Sequence, residues 1–195
     1  MSKGELTRQR IIAEAAPIFN KRGYAGCSMQ DIMEATGLEK GGLYRHFSSK
    51  EELAAEAFRY ALSNSVRLKA QRLGEIDNAV EQLRYTVKRF VETPANTPGG
   101  CPLMNTAIDA DDGNPVLRDL ALQGIKDWKG RLAAIVEEGI RRKQIRKRTD
   151  PRQIANTIIS TLEGALMISR LEGSRDALRD AHQSLDSILD LIVAD

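Results

Sequence analysis

Apolar side chains recur three and four residues apart in one segment after another, the spacing of helices with one buried face. Ile11, Ile12, Ala15, Ala16, Ile18 and Phe19 mark the first such helix. Pro17 lies inside it and ordinarily costs about 3 kcal/mol there, but the spacing continues past it, which predicts a kink and not a break. Ser49 and Glu52 have capping-box spacing and open a helix that runs without a breaker to about Leu73. A further helix is expected from Asp77 to about Thr93, with Val80, Leu83, Val87, Phe90 and Val91 on one side. Thr93 to Gly100 reads as a loop from its prolines and glycines. Cys101-Pro102-Leu103 starts a short helix through Ile108, ended by the acidic turn from Asp109 to Gly113. Pro115 fits the first turn of a long helix to about Arg142. Asp150-Pro151 opens a helix with Ile154, Ile158, Leu162, Ala165 and Ile168 in one stripe. The last helix carries Leu178, Ala181, Leu185, Ile188, Leu189 and Ile192. The class is all-α.

Ser28 to Lys50 reads differently from the rest, as two short helices joined by a tight turn. Ser28 is a helix N-cap and Asp31 completes a capping box at the positive end of that helix; Ile32 and Ala35 are expected to face inward. Gly37 supplies the backbone freedom for the turn and Leu38 returns an apolar side chain to the core. A second helix spans roughly Glu39 to Phe47, in which Leu43 and Phe47 pack inward, leaving Lys40, Gly41, Tyr44, Arg45 and His46 outside. Gly41 and Gly42 each cost a helix interior about 0.8–1.0 kcal/mol relative to alanine. Stability alone would not choose them, whereas bare backbone admits close approach to a DNA groove. This is a helix-turn-helix with a basic and aromatic second helix, pointing to duplex DNA.

The chain has 195 residues and a formal charge of only +2, too little for indiscriminate coating of nucleic acid. The charge is uneven: residues 1–50 hold eight basic and five acidic side chains, a net of +3, as expected when binding is confined to one face. No apolar leader and no membrane-length apolar run are visible, and Cys27 and Cys101 lie far apart, so a soluble protein of the reducing cytoplasm without a disulfide is expected. Arg141 to Arg148 is the strongest local charge run; it reads as a solvated helix C-terminus favoured by the helix dipole in preference to a second DNA contact.

From Thr7 to Leu53 the chain resembles the DNA-binding head of the tetracycline-repressor (TetR) family of bacterial transcription regulators. The resemblance rests on Phe19-Asn20-Lys21-Arg22-Gly23-Tyr24, the Cys27-Ser28 entry, Gly37-Leu38, and Leu43-Tyr44-Arg45-His46-Phe47 with Ser49-Lys50-Glu51. Met33 where the family has a small residue, Cys27 for its threonine, and Pro17 depart from the pattern. The resemblance implies a three-helix helix-turn-helix head over residues 1–48 and a larger helical ligand-binding and dimerisation domain over 49–195. It implies DNA contacts by Ser28, Lys40, Gly41, Tyr44, Arg45, His46 and Lys50, with Lys40, Gly41 and Arg45 as base readers and the others at phosphates. It also implies a homodimer through the last two helices, where Gly164 and Ala165 permit close approach, and a palindromic operator.

Regulators of this kind bind a small molecule among the body helices, and it acts through differential affinity for two states. Candidate lining residues are Phe90, Leu103, Met104, Ile108, Trp128 and Met167, with Asn105 and Thr106 as polar anchors; each has an alternative reading as ordinary core. Cys101, at a helix N-terminus after two glycines, reads either as a buried gap-filler or as a thiol sensor of oxidants or electrophiles. Enzyme chemistry is not expected. His46 and His182 are too scattered for a zinc site, the Asp109, Asp111 and Asp112 cluster lacks the pattern of a calcium loop, and neither a phosphate-binding glycine loop nor a nucleophile elbow occurs. No metal or cofactor is expected. The expected function is therefore a ligand-released repressor, with a ligand-independent DNA-binding or architectural factor of the same fold as the alternative.

Overall fold

A computed structural model describes residues 2–93 and 97–194. Among these residues the chain forms nine α-helices and one 3-10 turn and no strand: α1 Lys3–Arg22, α2 Met29–Thr36, α3 Lys40–Tyr44, α4 Lys50–Lys69, the 3-10 turn Leu73–Glu75, α5 Ala79–Glu92, α6 Pro102–Ala110, α7 Pro115–Arg141, α8 Pro151–Glu172 and α9 Asp176–Ile192. The expected loop from Thr93 to Gly100 lies partly outside the described residues. α1 runs unbroken across Pro17, held by Ile11, Ile12, Ala15 and Ala16, all buried on one face.

Several boundaries differ from the sequence expectation, each for a local reason. α4 stops at Lys69 and not near Leu73, and the turn that follows carries Arg72 in a left-handed conformation with φ of 66°. The carbonyls freed there find partners from α5: Tyr85 Oη donates to Gln71 O, at 2.5 Å, and Arg89 Nη2 to Leu68 O, at 2.7 Å. α3 is shorter than Glu39 to Phe47 and gives way to a turn after Tyr44. α6 runs two residues past Ile108. Ala35 is exposed, and Thr36 takes the inward position beside Ile32, its hydroxyl donating to Ile32 O at 2.8 Å. Ile168 is 41% exposed and leaves the buried stripe of α8.

The chain divides into two compact units, Met1–Ser65 with Ala95–Gly124, and Val66–Pro94 with Ile125–Asp195. In the first, Ile11, Ile12, Ile32, Leu43, Phe47 and Leu53 form the core that fixes α1, α2, α3 and the start of α4 against one another. Arg8 seals its edge, with its guanidinium 4.7 Å above the Phe47 ring and its nitrogens beside Glu52 and Glu56. A second cluster of Ala54, Ala55, Ala110 and Leu117 packs α6 and the beginning of α7 onto α4.

In the second unit, Leu83 and Val87 of α5, Leu132 and Val136 of α7, Ile158 and Leu162 of α8, and Leu185 and Leu189 of α9 share one core. Ile145 plugs its end, pressed so closely on Gly139 that a Cβ there would lie 2.6 Å from Ile145 Cδ1. The basic run after α7 is thereby anchored. Arg141 bonds to Glu138, and Arg142 donates to Asp77 O at 2.7 Å.

Candidate nucleic-acid interface

The exposed face of the helix-turn-helix is built by three local devices. Ser28 caps α2 and meets Asp31 reciprocally: Ser28 Oγ accepts from Asp31 N–H at 3.1 Å, and Asp31 Oδ2 accepts from Ser28 N–H and Oγ at 2.7 and 2.6 Å. Arg22 Nη1 adds a bond to Asp31 Oδ1 at 2.5 Å. The Ser28 hydroxyl, the Ser28 N–H and Arg22 together hold the Asp31 carboxyl at a pKa of about 2. Gly37 then ends α2 in the left-handed conformation, φ 64° and ψ 22°, which a glycine adopts without steric cost. Beyond it Leu43 and Phe47 are fully buried, locking α3 by one side.

The opposite side carries the functional candidates. Lys40, Gly41, Tyr44 and Arg45 are exposed and His46 is half-buried. Tyr44 is flanked by Lys40, whose Nζ is 6.0 Å from the ring centroid. Lys50, the first residue of α4, has its Nζ 4.2 Å over the ring of Tyr24. Neither Lys40, Arg45 nor Lys50 is paired with a carboxylate among the described residues. Ser28 differs, since its hydroxyl and N–H are both engaged by Asp31. The space around Gly41 is open, and a Cβ there would meet nothing within 4 Å. Cys27 is buried beside this entry, and burial pushes its thiol pKa up.

Glu52 is the other cap of the head, and its return contact is displaced from the expected box. Its N–H donates to Ser49 Oγ at 3.1 Å, while its carboxylate accepts from Ser48 N–H and Oγ.

The residues expected to line a ligand site divide between the two units, Leu103, Met104, Asn105, Thr106 and Ile108 in the first and Phe90, Trp128 and Met167 in the second. In the second unit Phe90 stacks on Trp128, with centroids 5.7 Å apart, and Lys69 Nζ lies 4.0 Å over Phe90. Met167 of α8 is 47% exposed and so does not line an interior site of the single chain. In the first unit Ile108 is 70% exposed, against the same expectation. Leu103 is buried, Met104 half-buried, and Leu103 lies against the bare Cα of Gly124. Asn105 and Thr106 border a cavity of 30 Å³ between α1, α4 and α6, room for about two waters. Ligand sites take about 300–1,000 Å³. The Asn105 amide is moreover engaged as a donor to Asn20 O, Asn20 Oδ1 and Gly99 O, at 3.0, 3.0 and 2.8 Å.

Sequence reasoning missed Asn20, Tyr24 and Asp109 as a cluster. Asp109 Oδ2 accepts from the Tyr24 N–H at 2.6 Å across 85 positions of sequence, a contact with no local signal. Cys101 is 7% exposed and caps α6. Among the described residues no group of three or more His, Cys, Asp or Glu could hold a metal ion, and no helix is long and apolar enough to cross a membrane.

A head with one buried and one cationic face, followed by a larger helical body, defines the class of helix-turn-helix DNA-binding regulators. The family model for bacterial regulatory proteins of the tetR family matches residues 11–57, and that for the tetracyclin repressor-like C-terminal domain matches residues 79–185. The chain belongs to the tetracycline-repressor family and is a DNA-binding transcriptional regulator. Its curated relatives include the transcriptional repressor DhaR of Mycobacterium sp. strain GP1, 27% identical over 172 residues that cover 88% of this chain and 86% of DhaR. The crystal structure of a TetR transcriptional regulator from Chloroflexus aurantiacus J-10-FL is 41% identical, with a TM-score of 0.94 over 100% of this chain and 99% of that one. A TetR-family regulator from Cytophaga hutchinsonii is 35% identical, with a TM-score of 0.93 over 100% and 98%.

Proposed function

We propose that the protein is a repressor that binds a palindromic operator as a homodimer and is released by a small molecule. The observation that carries the DNA contact is the arrangement of α3 and the turn after it: Leu43 and Phe47 buried, Lys40, Gly41, Tyr44 and Arg45 exposed, with Lys40, Arg45 and Lys50 paired with no carboxylate among the described residues. Lys40, Gly41 and Arg45 read base edges; Tyr44, His46 and Lys50 contact phosphates, and Ser28 offers at most the hydroxyl it already shares with Asp31. Residues 1–48 act as the DNA head and 49–195 as the sensing and dimerising body. That DhaR is a repressor supports the sign of regulation.

Dimerisation through α8 and α9 is supported by a face of α8 on which Met167, Ile168 and Leu171 are exposed at 47, 41 and 81%. Gly164 lies one turn before Met167 and Ile168 and two turns before Leu171, with open space at its Cβ position. Leu191 of α9 is also 70% exposed. Two heads a helical turn apart read enough base pairs for useful discrimination, which one five-residue helix does not. For the small molecule, the stacked pair of Phe90 and Trp128 is the feature of the body that supports the reading.

The test is selection of bound duplexes from a random library, followed by titration of the enriched sequence at two salt concentrations. A palindromic winner that outlasts random duplex at the higher salt is expected. Fading of all sequences together would remove the operator reading. A specific duplex that no small molecule displaces would favour the ligand-independent factor of the same fold.

A further inference from the structure

We propose that Asp109, on α6 and outside the helix-turn-helix, is a positioning residue for DNA binding that acts on Lys50 through Tyr24. The inference rests on the proposal that Lys50 contacts DNA phosphate. Three contacts within one compact unit carry it. Asp109 Oδ2 accepts from the Tyr24 N–H at 2.6 Å, just beyond the end of α1. Gly23, the cap of α1, has φ of 73°, and a Cβ on it would lie 2.5 Å from Asp109 Oδ1, so the carboxylate rests directly on the bare backbone there. The ring of Tyr24 then lies 4.2 Å beneath Lys50 Nζ.

The carboxylate has no other hydrogen-bond partner among the described residues. Among the described residues Asp109 pairs with no cation, and it faces the same way as Asn105, four residues earlier on the helix. Asn105 grips Asn20 O and Oδ1 near the end of α1. α6 therefore holds that end at two points, and the second fixes the residue on which Lys50 leans. Tyr24 is further seated against the cluster of Ala54, Ala110 and Leu117. A lysine stem loses much rotamer freedom when its ammonium is placed on a phosphate; a cation–π contact on a fixed ring restricts it beforehand. Removing Asp109 loosens the Tyr24 backbone, and with it the ring.

The experiment is a double-mutant cycle of Asp109→Ala and Lys50→Ala, read as affinity for a random-sequence duplex over a series of salt concentrations, with thermal denaturation to confirm folding. Lys50→Ala should lower the salt slope by about one. Asp109→Ala should lower affinity about two- to fivefold, the scale of one exposed cation–π contact, and shift the slope toward that of Lys50→Ala. In the Lys50→Ala background it should add nothing, and Asp109→Asn, which keeps an acceptor, should restore binding. Additive effects, or an affinity loss at unchanged slope, would overturn the proposal. Should Asp109→Ala fail to fold, Tyr24→Leu decides, because it retains the N–H and removes the ring; an unchanged slope overturns the proposal. If Lys50→Ala itself changes nothing, the relay falls, and loss of binding in Arg45→Ala and Tyr44→Ala separates that failure from failure of the DNA reading.

Discussion

Asp31 answers Ser28 twice, accepting from both its N–H and its hydroxyl while donating its own N–H to the same hydroxyl. This closed pair starts α2, and its carboxyl is held at a pKa of about 2, below the ordinary value of about 3.9. A depressed folded-state pKa contributes stability at pH above the unfolded value, and that contribution is lost as pH falls through the folded one. Asp31→Asn should therefore melt below the parent at pH 7, with the gap closing between about pH 4 and pH 2. Thermal melts across that window test it, and a gap that stays constant would refute it. Ser28→Ala should cost about 1 kcal/mol as a lost cap.

Gly41 gives a prediction of opposite signs. Its backbone has no positive φ and its Cβ position is open, so alanine should stabilise the chain by up to about 1 kcal/mol, raising Tm by about 2–4 °C. The same variant should bind the selected operator at least about fivefold more weakly, as a misfit at one base pair does. Calorimetry and a binding titration on one preparation suffice. An alanine variant that binds as tightly as the parent places Gly41 away from the DNA.

Leu171, 81% exposed, lies two turns from Gly164 on the same face of α8. Leu171→Glu should convert a dimer into a monomer with unchanged helicity, read by sedimentation equilibrium and circular dichroism. Gly164→Leu should do the same, since a Cβ there meets nothing within 4 Å among the described residues of its own chain. A parent that sediments as a monomer at micromolar concentration would remove this interface.

Cys101 is buried in its place ahead of α6, which favours the gap-filling role over the sensing one. Its thiol should react with an aromatic disulfide reagent far more slowly in the native protein than in denaturant. Cys101→Ser should release DNA at the same peroxide dose as the parent. Retention of DNA by the serine variant at a dose that frees the parent would establish the sensor instead.

Much of the head was legible because its signals are local. The capping box at Ser28, the glycine turn at Gly37 and the pairing of Leu43 with Phe47 all join residues four or fewer positions apart, so backbone geometry alone relates their side chains. The long helices were equally readable from their apolar stripes. Boundaries were not, since α5 supplies donors to Leu68 O at the end of α4 and to Gln71 O just beyond it, contacts made across 21 and 14 positions of sequence.

By itself, then, the sequence determined the helices, the helix-turn-helix and the exposed basic face of α3, because these follow from periodicity and capping over short spans. Only the tertiary structure decided that the Asn105 amide braces α1, that Ile108 and Met167 are exposed on the single chain, and that Asp109 reaches Tyr24. Those contacts join residues far apart in the chain, and no local preference records which distant side chain will be folded against them.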